Sequence, residues 1–214
     1  MVEQPVSDFA RKLLGVVVRI SFAVVNHPDR KEWGRDLAAE LLKVGPTEVA
    51  YDERLEGAEA NHIRALAAAA PDAEWHMVIE DDAVLSSRFG ELLPEALESY
   101  PDHIVSAYTG QLFPRHRQGD FIRAASMGVD LVADYVAHGV ANAYPADIIE
   151  PLTDWIDPGG IPVDEQISHF AQHHGIPVVY LTPSLVDHRD EGSVLPATAW
   201  QPRKPGRTAH RFIL

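Results

Sequence analysis

The sequence predicts an α/β fold with a mostly parallel sheet flanked by helices, and three observations point to it. Short runs of β-branched and aromatic residues alternate with longer segments whose apolar side chains recur at helical spacing. Proline and glycine punctuate those segments where helices and strands should stop. The chain has 214 residues, 46% of them hydrophobic, which is enough to fill the core of one domain.

The elements follow in order. "ISFAVV" (20–25) is a strand, and Pro28, which has no N–H to donate to a ladder, ends it. "RKEWGRDLAAELLKVG" (30–45) spaces Trp33, Leu37, Leu41 and Leu42 as a helix does, with Gly45 as its stop. "TEVAYD" (47–52) is a short strand, and "GAEANHIRALAAAAP" (57–71) a helix closed by Pro71. "WHMVIE" is the third strand, and a helix follows from about Ser86 to Ser99. "HIVSAYTG" (103–110) reads as a strand, and "QLFPRHRQGDF" (111–121), without periodicity, as a loop of the kind that carries substrate contacts. A helix is expected near 129–138, a strand at "VANAYP" (140–145) and a helix at 146–156. "PVDEQISHFAQHHG" (162–175) is a helix stopped by Gly175, and "PVVYLT" (177–182) is the last strand. The division expected is a single domain over 1–195 and a basic C-terminal arm over 196–214, "AWQPRKPGRTAHRFIL" being rich in Pro and Arg and free of acids.

Composition narrows the function. Acids outnumber bases 32 to 18, a net charge of −14, so non-specific binding to a polyanion is disfavoured at long range. With no cysteine, disulfides, thiolate metal sites and cysteine nucleophiles are excluded, in keeping with a reducing cytoplasm. "LLGVVVRISFAVV" is too short and too interrupted by Arg19 and Ser21 to span a bilayer, and the N-terminus does not read as a secretion signal.

The informative stretch is "EWHMVIEDDAVL" (74–85), where a strand fit for a core runs into Glu80, Asp81 and Asp82. Ligands of open α/β sheets bind beyond the carboxyl ends of strands. In extended chain Glu80 and Asp82 point to one side and Asp81 to the other. Two carboxylates on one side repel unless a cation or donors compensate, and Mg²⁺ or Mn²⁺ suits such oxygens and can also hold a diphosphate. The plainer reading is an acidic start to the next helix.

"WHMVIEDDAVL" followed by "PVDEQISHFAQHHGIPVVYLTPSLVDH" resembles the pattern of nucleotide-sugar glycosyltransferases of the GT-A fold, small phage-encoded members above all. "NHPDR" after the first strand and Asp52 after the second match the family's nucleotide positions, so that the likeness runs from about residue 20 to 195. The resemblance implies that Asp82 ligates the metal, with Glu80 or Asp81 holding ribose or a metal-bound water, and that His188 completes the metal shell. It implies that Asp52 accepts from the imide N–H of a uracil-type base and that Asn26, His27 and Arg30 line the base and diphosphate end. Asp164 or Glu165 would be the base that deprotonates an acceptor hydroxyl in an inverting transfer. The activity implied is metal-dependent transfer from a UDP-sugar to a hydroxyl, with hydroxymethylated pyrimidines of phage DNA as the first acceptor class. The acidic net charge opposes that acceptor; the basic arm and the "RHR" loop partly restore it.

Bland readings stand beside these. Asp164 and Glu165 suit a helix N-terminus, Asp52 a turn, and Arg64, which with Asn61 is expected to face the nucleotide from its helix, is also read as an ordinary surface arginine. His169, His173 and His174 read as solvated helix-end histidines. Arg203, Lys204, Arg207 and Arg211 form a solvated arm, or cover a diphosphate or an anionic acceptor. Two other activities fit clustered carboxylates: a two-ion phosphohydrolase or nucleotidyltransferase, which requires further acids around Asp81 and Asp82, and a non-catalytic protein that keeps the fold.

Overall fold

The computed structural model describes residues 18–111, 114–189 and 207–214. A seven-stranded sheet forms its centre. The strands are β1 (Ile20–Asn26), β2 (Thr47–Tyr51), β3 (Trp75–Glu80), β5 (Ile104–Ser106), β6 (Leu131–Ala133), β7 (Ala141–Pro145) and β8 (Val178–Tyr180), in the order β2-β1-β3-β7-β5-β8-β6. β4 (Ala83–Leu85) and β9 (Val186–His188) form a separate antiparallel pair. The helices are α1 (Lys31–Leu41), α2 (Ala58–Ala67), α3 (Phe89–Ser99), α4 (Gln118–Met127), α5 (Ala146–Trp155) and α6 (Val163–His174).

β1 and β3 are apolar along nearly their whole length because both their faces are covered. Their side chains alternate between two cores. Phe22, Val24, Met77 and Ile79 join Leu37 and Leu41 of α1 and Leu93 and Leu97 of α3. Ala23 and Val78 face the other way, onto Leu66 of α2, Ile149 and Leu152 of α5, and Ile167 and Phe170 of α6. Leu41, Leu93 and Leu97 are wholly buried, each worth about 1.5–3 kcal/mol of transfer free energy.

β1, β2, β3, β5 and β8 run the same way, while β7 is antiparallel to β3 and β5, and β6 to β8. Two expected elements are corrected. The stretch 111–121 is not a loop throughout: a single 3-10 turn at Arg115–Arg117 leads into α4, which buries Phe121 and Ala124. The helix expected near 129–138 does not form. Gly128, at φ 66°, ends α4 in the left-handed conformation that favours glycine, and Leu131–Ala133 becomes an edge strand. Asp130 secures that turn, accepting from Tyr100 Oη at 2.8 Å and from Thr182 N at 2.7 Å.

No described helix is long and apolar enough to cross a membrane. Of the residues singled out above, Arg203 and Lys204 lie outside the described residues, as do Leu112 and Phe113 and the start of "LLGVVVRISFAVV". The described part of the basic segment, 207–214, is tied down: Gly110 bridges Ala209, and Ser184 bridges Phe212.

Candidate metal and nucleotide site

The β1–β3 register pairs Val25 with Glu80, so Asn26, His27 and the three acids emerge together at one edge of the sheet. Asp81 and Asp82 lie in the turn between β3 and β4, and both contact Arg30 Nη1. Asp81 turns back toward β1: its Oδ2 accepts from Asn26 Nδ2 at 2.9 Å and from His27 N at 2.7 Å, and its Oδ1 from Arg30 Nη1 at 3.1 Å. Asp82 turns the other way. Its Oδ2 lies 2.5 Å from Arg30 Nη1 and 3.2 Å from His188 Nε2, and its Oδ1 is buried with no hydrogen-bond partner.

His188 reaches Asp82 from more than a hundred positions away because β9 pairs with β4. Ala83 sits opposite His188, and Arg189 N donates to Asp82 O at 2.9 Å. Glu80 completes the group, and one ligand atom each from Glu80, Asp82 and His188 fall within 4.8 Å of one another. His188 Nδ1 faces Arg189 O at 2.6 Å, which leaves Nε2 to face the acids.

The charges are strongly coupled. Burial, reinforced by the negative charge of Asp82, pushes the Glu80 carboxyl up to about 7. Burial would also raise Asp82, but the hydrogen bond and charge of His188, together with Arg30, outweigh it and hold Asp82 below the usual carboxylate range. Burial would lower His188, and Asp82 reverses that, so His188 stands above its ordinary value. The set is two oxygens and one imidazole nitrogen, with an orphaned carboxylate oxygen. It fits a divalent cation such as Mn²⁺, which would let both carboxylates ionise.

These acids border a cleft of about 410 Å³. His27, Arg30 and Val25 form one wall, Asp52, Leu55 and Gly57 the rim, and Asn61 and His62 of α2 another side. Asp52 is held from behind, accepting from Glu56 N, Gly57 N and Arg64 Nη2 at 2.9, 3.1 and 3.0 Å. In that turn Leu55 has φ 53°, an uncommon conformation for a bulky side chain. Arg64 is absent from the residues that border the cleft; it bridges Asp52 and Glu56. Asn61 donates to Ala50 O at 3.0 Å and fixes α2 against β2.

Asp164 opens α6 next to Val163, which touches the cleft. It is half-buried, and its surroundings push its carboxyl up to about 6, with Glu165 and Glu59 adding to the effect of burial. Its charge also raises Glu80. Glu165 is exposed and does not border the cleft. His169, His173 and His174 are exposed, and among the described residues they join no metal-ligating group.

Several neighbours escaped sequence reasoning. Trp33 lies between two guanidiniums, Arg30 and Arg189, each 4.9 Å from its ring centroid. Tyr108 packs edge-on to His138 at 5.1 Å and lies 6.2 Å from His188. Gly139 leaves room for Glu80: a Cβ there would stand 2.8 Å from Glu80 Oε1. Aromatic and glycine residues inside strand and loop patterns carry no sequence mark of such roles.

A scan against protein-family models finds no match, and neither does a search of curated protein sequences. Solved structures do match. GalNAc-T7 with UDP, GalNAc and Mn²⁺ aligns at a TM-score of 0.55 and 13% identity, over 89% of this chain and 47% of that one. The fold is that of the GT-A glycosyltransferases. A glycosyltransferase involved in glycosylating the major capsid of PBCV-1 aligns at 0.52 and 12%, over 82% of this chain and 94% of that one. TarS of S. aureus aligns at 0.51 and 10%, over 77% and 60% respectively. This chain thus spans about half the length of the GalNAc-T7 structure. Glu80 and Asp82 border the cleft at and just beyond the end of β3, and His188 joins them from β9 without bordering it.

Proposed function

We propose that this protein is a metal-dependent glycosyltransferase that moves a sugar from a UDP-sugar donor to a hydroxyl acceptor. The observation that carries the reading is the convergence of Glu80, Asp82 and His188 within 4.8 Å beside the cleft. Its support is the GT-A fold shared with a structure that holds UDP, GalNAc and Mn²⁺.

Mn²⁺ or Mg²⁺ held by Glu80, Asp82 and His188 would offset charge on the departing diphosphate. The protein's own groups do the rest. Asp52, fixed by two backbone N–H groups and Arg64, offers an acceptor to the imide N–H of uracil. His27 and Arg207 border the cleft where the diphosphate would lie. Asp81 keeps β1 and the Arg30 turn in register rather than touching the donor. Asp164 takes the acceptor's proton as the acceptor oxygen bonds to the anomeric carbon. The bond from that carbon to the diphosphate oxygen breaks, and its electron pair leaves with the diphosphate. Hydroxymethylated pyrimidines of phage DNA are the first acceptor class to assay, by the sequence resemblance alone.

The two-ion alternative requires further acids converging on Asp81 and Asp82, whereas among the described residues Asp81 belongs to no metal-ligating group and Asp82 is grouped with only one other acid, Glu80. Thermal-shift measurement separates the readings. UDP with Mn²⁺ should stabilise the protein, and Asp82→Ala should abolish that shift; stabilisation by Mn²⁺ alone, indifferent to UDP, would favour phosphohydrolysis. Mass spectrometry of mixed UDP-sugars with plain and hydroxymethylated DNA, saccharides and proteins then finds the acceptor.

A further inference from the structure

We infer that Asp187 is a positioning residue that sets two parts of the cleft at once; this rests on the donor reading above. One oxygen, Asp187 Oδ1, accepts from His188 N at 2.8 Å and from Ala209 N at 2.7 Å. The first bond fixes the backbone that carries a metal-ligating histidine. The second pins the C-terminal segment two residues beyond Arg207, whose side chain borders the cleft.

The rest of that segment is registered by the same neighbourhood. Gln111 N donates to Thr208 O at 3.2 Å, His210 N to Thr109 O at 2.9 Å, and Ser184 N to Arg211 O at 2.7 Å. Tyr108 Oη donates to Arg207 O. Most of these bonds join backbone to backbone, and none of them involves a residue of the strand that carries His188. Asp187 differs in joining the segment directly to the ligand strand, through one side-chain oxygen shared by two backbone donors. The carboxylate therefore couples the placement of Arg207 to that of His188. A nucleoside diphosphate bound with its cation is the ligand that would register both.

The test is calorimetric titration of the intact chain and its variants with Mn²⁺, and with UDP at saturating Mn²⁺. Asp187→Ala should weaken UDP about tenfold, the size of one lost charge-assisted bond. Mn²⁺ affinity should fall as well, while Asp187→Asn, which keeps the accepting oxygen, should stay within about threefold of the unaltered protein. In an Arg207→Ala background, Asp187→Ala should cost little further UDP affinity, because the two act as a unit. Should Asp187→Ala fail to fold, Tyr108→Phe serves: it frees Arg207 O from its hydroxyl donor and should weaken UDP while sparing Mn²⁺. Full additivity of Asp187→Ala and Arg207→Ala, or unchanged UDP binding in folded Asp187→Ala and Tyr108→Phe proteins, overturns the inference alone. Absence of UDP binding by the unaltered protein overturns the donor reading and this inference with it.

Discussion

Arg30→Met tests whether the acidic group exists to hold a cation. Arg30 is buried, and one of its nitrogens, Nη1, contacts both Asp81 and Asp82. Removing one member of a buried ion pair costs about 3–5 kcal/mol. The lower end applies here, since Asp81 retains Asn26 and His27 N, and Asp82 retains His188. For a chain of this size about 3 kcal/mol lowers Tm by about 6–12 °C. Mn²⁺ should then restore more stability to the variant than it adds to the unaltered protein, because Arg30 no longer competes for Asp82 Oδ2. A tenfold gain in Mn²⁺ affinity corresponds to about 1.4 kcal/mol, or about 3–6 °C of extra shift. Differential scanning fluorimetry across a Mn²⁺ series, with and without chelator, reads both quantities. An Mn²⁺ shift equal to or smaller than that of the unaltered protein would refute the competition for Asp82 Oδ2.

Four other outcomes are expected. Asp164→Asn should leave UDP and Mn²⁺ binding within about twofold by titration while abolishing transfer; lost donor binding would count against its role as a base. Because Asp164 is pushed up to about 6 and is competent only when ionised, the transfer rate should rise through about pH 6 and level off above it. A rate that falls over that interval contradicts the assignment. Gly139→Ala should reduce Mn²⁺ affinity with little change in Tm, because its Cβ would meet Glu80 Oε1 at 2.8 Å rather than the core; an unchanged Mn²⁺ titration would show that Glu80 moves aside freely. Phe121→Ala, at a wholly buried ring beside Tyr180, should lose about 3–5 kcal/mol in urea unfolding.

The central strands were legible in the sequence because burial on both faces imposes a nearly continuous apolar run, as in "ISFAVV" and "WHMVIE". α1, α2 and α6 were legible because Leu, Ala and Ile recur at helical spacing between clear stops. The region 111–138 was not. α4 begins within a polar stretch, and only Phe121 and Ala124 mark its buried face. β6 and β9 have three residues each, too few to show alternation, and their existence depends on partners distant in sequence. The same holds at the cleft. The pattern suggested grouping Glu80 with Asp82, which do fall together with His188, but the turn that carries Asp81 and Asp82 and sets both against Arg30 was not legible. The support from Trp33, Tyr108 and Gly139 depends on three-dimensional proximity, which no spacing encodes.

The short β4–β9 ladder has an implication for how the ion preference of the candidate site could be changed. Main-chain bonds, not the side chains themselves, set the span between positions 82 and 188. The scaffold and the chemistry of its ligands are therefore separable. Exchanging the imidazole for a carboxylate should turn a mixed nitrogen–oxygen donor set into an all-oxygen one and shift selectivity toward harder cations, with the frame left intact.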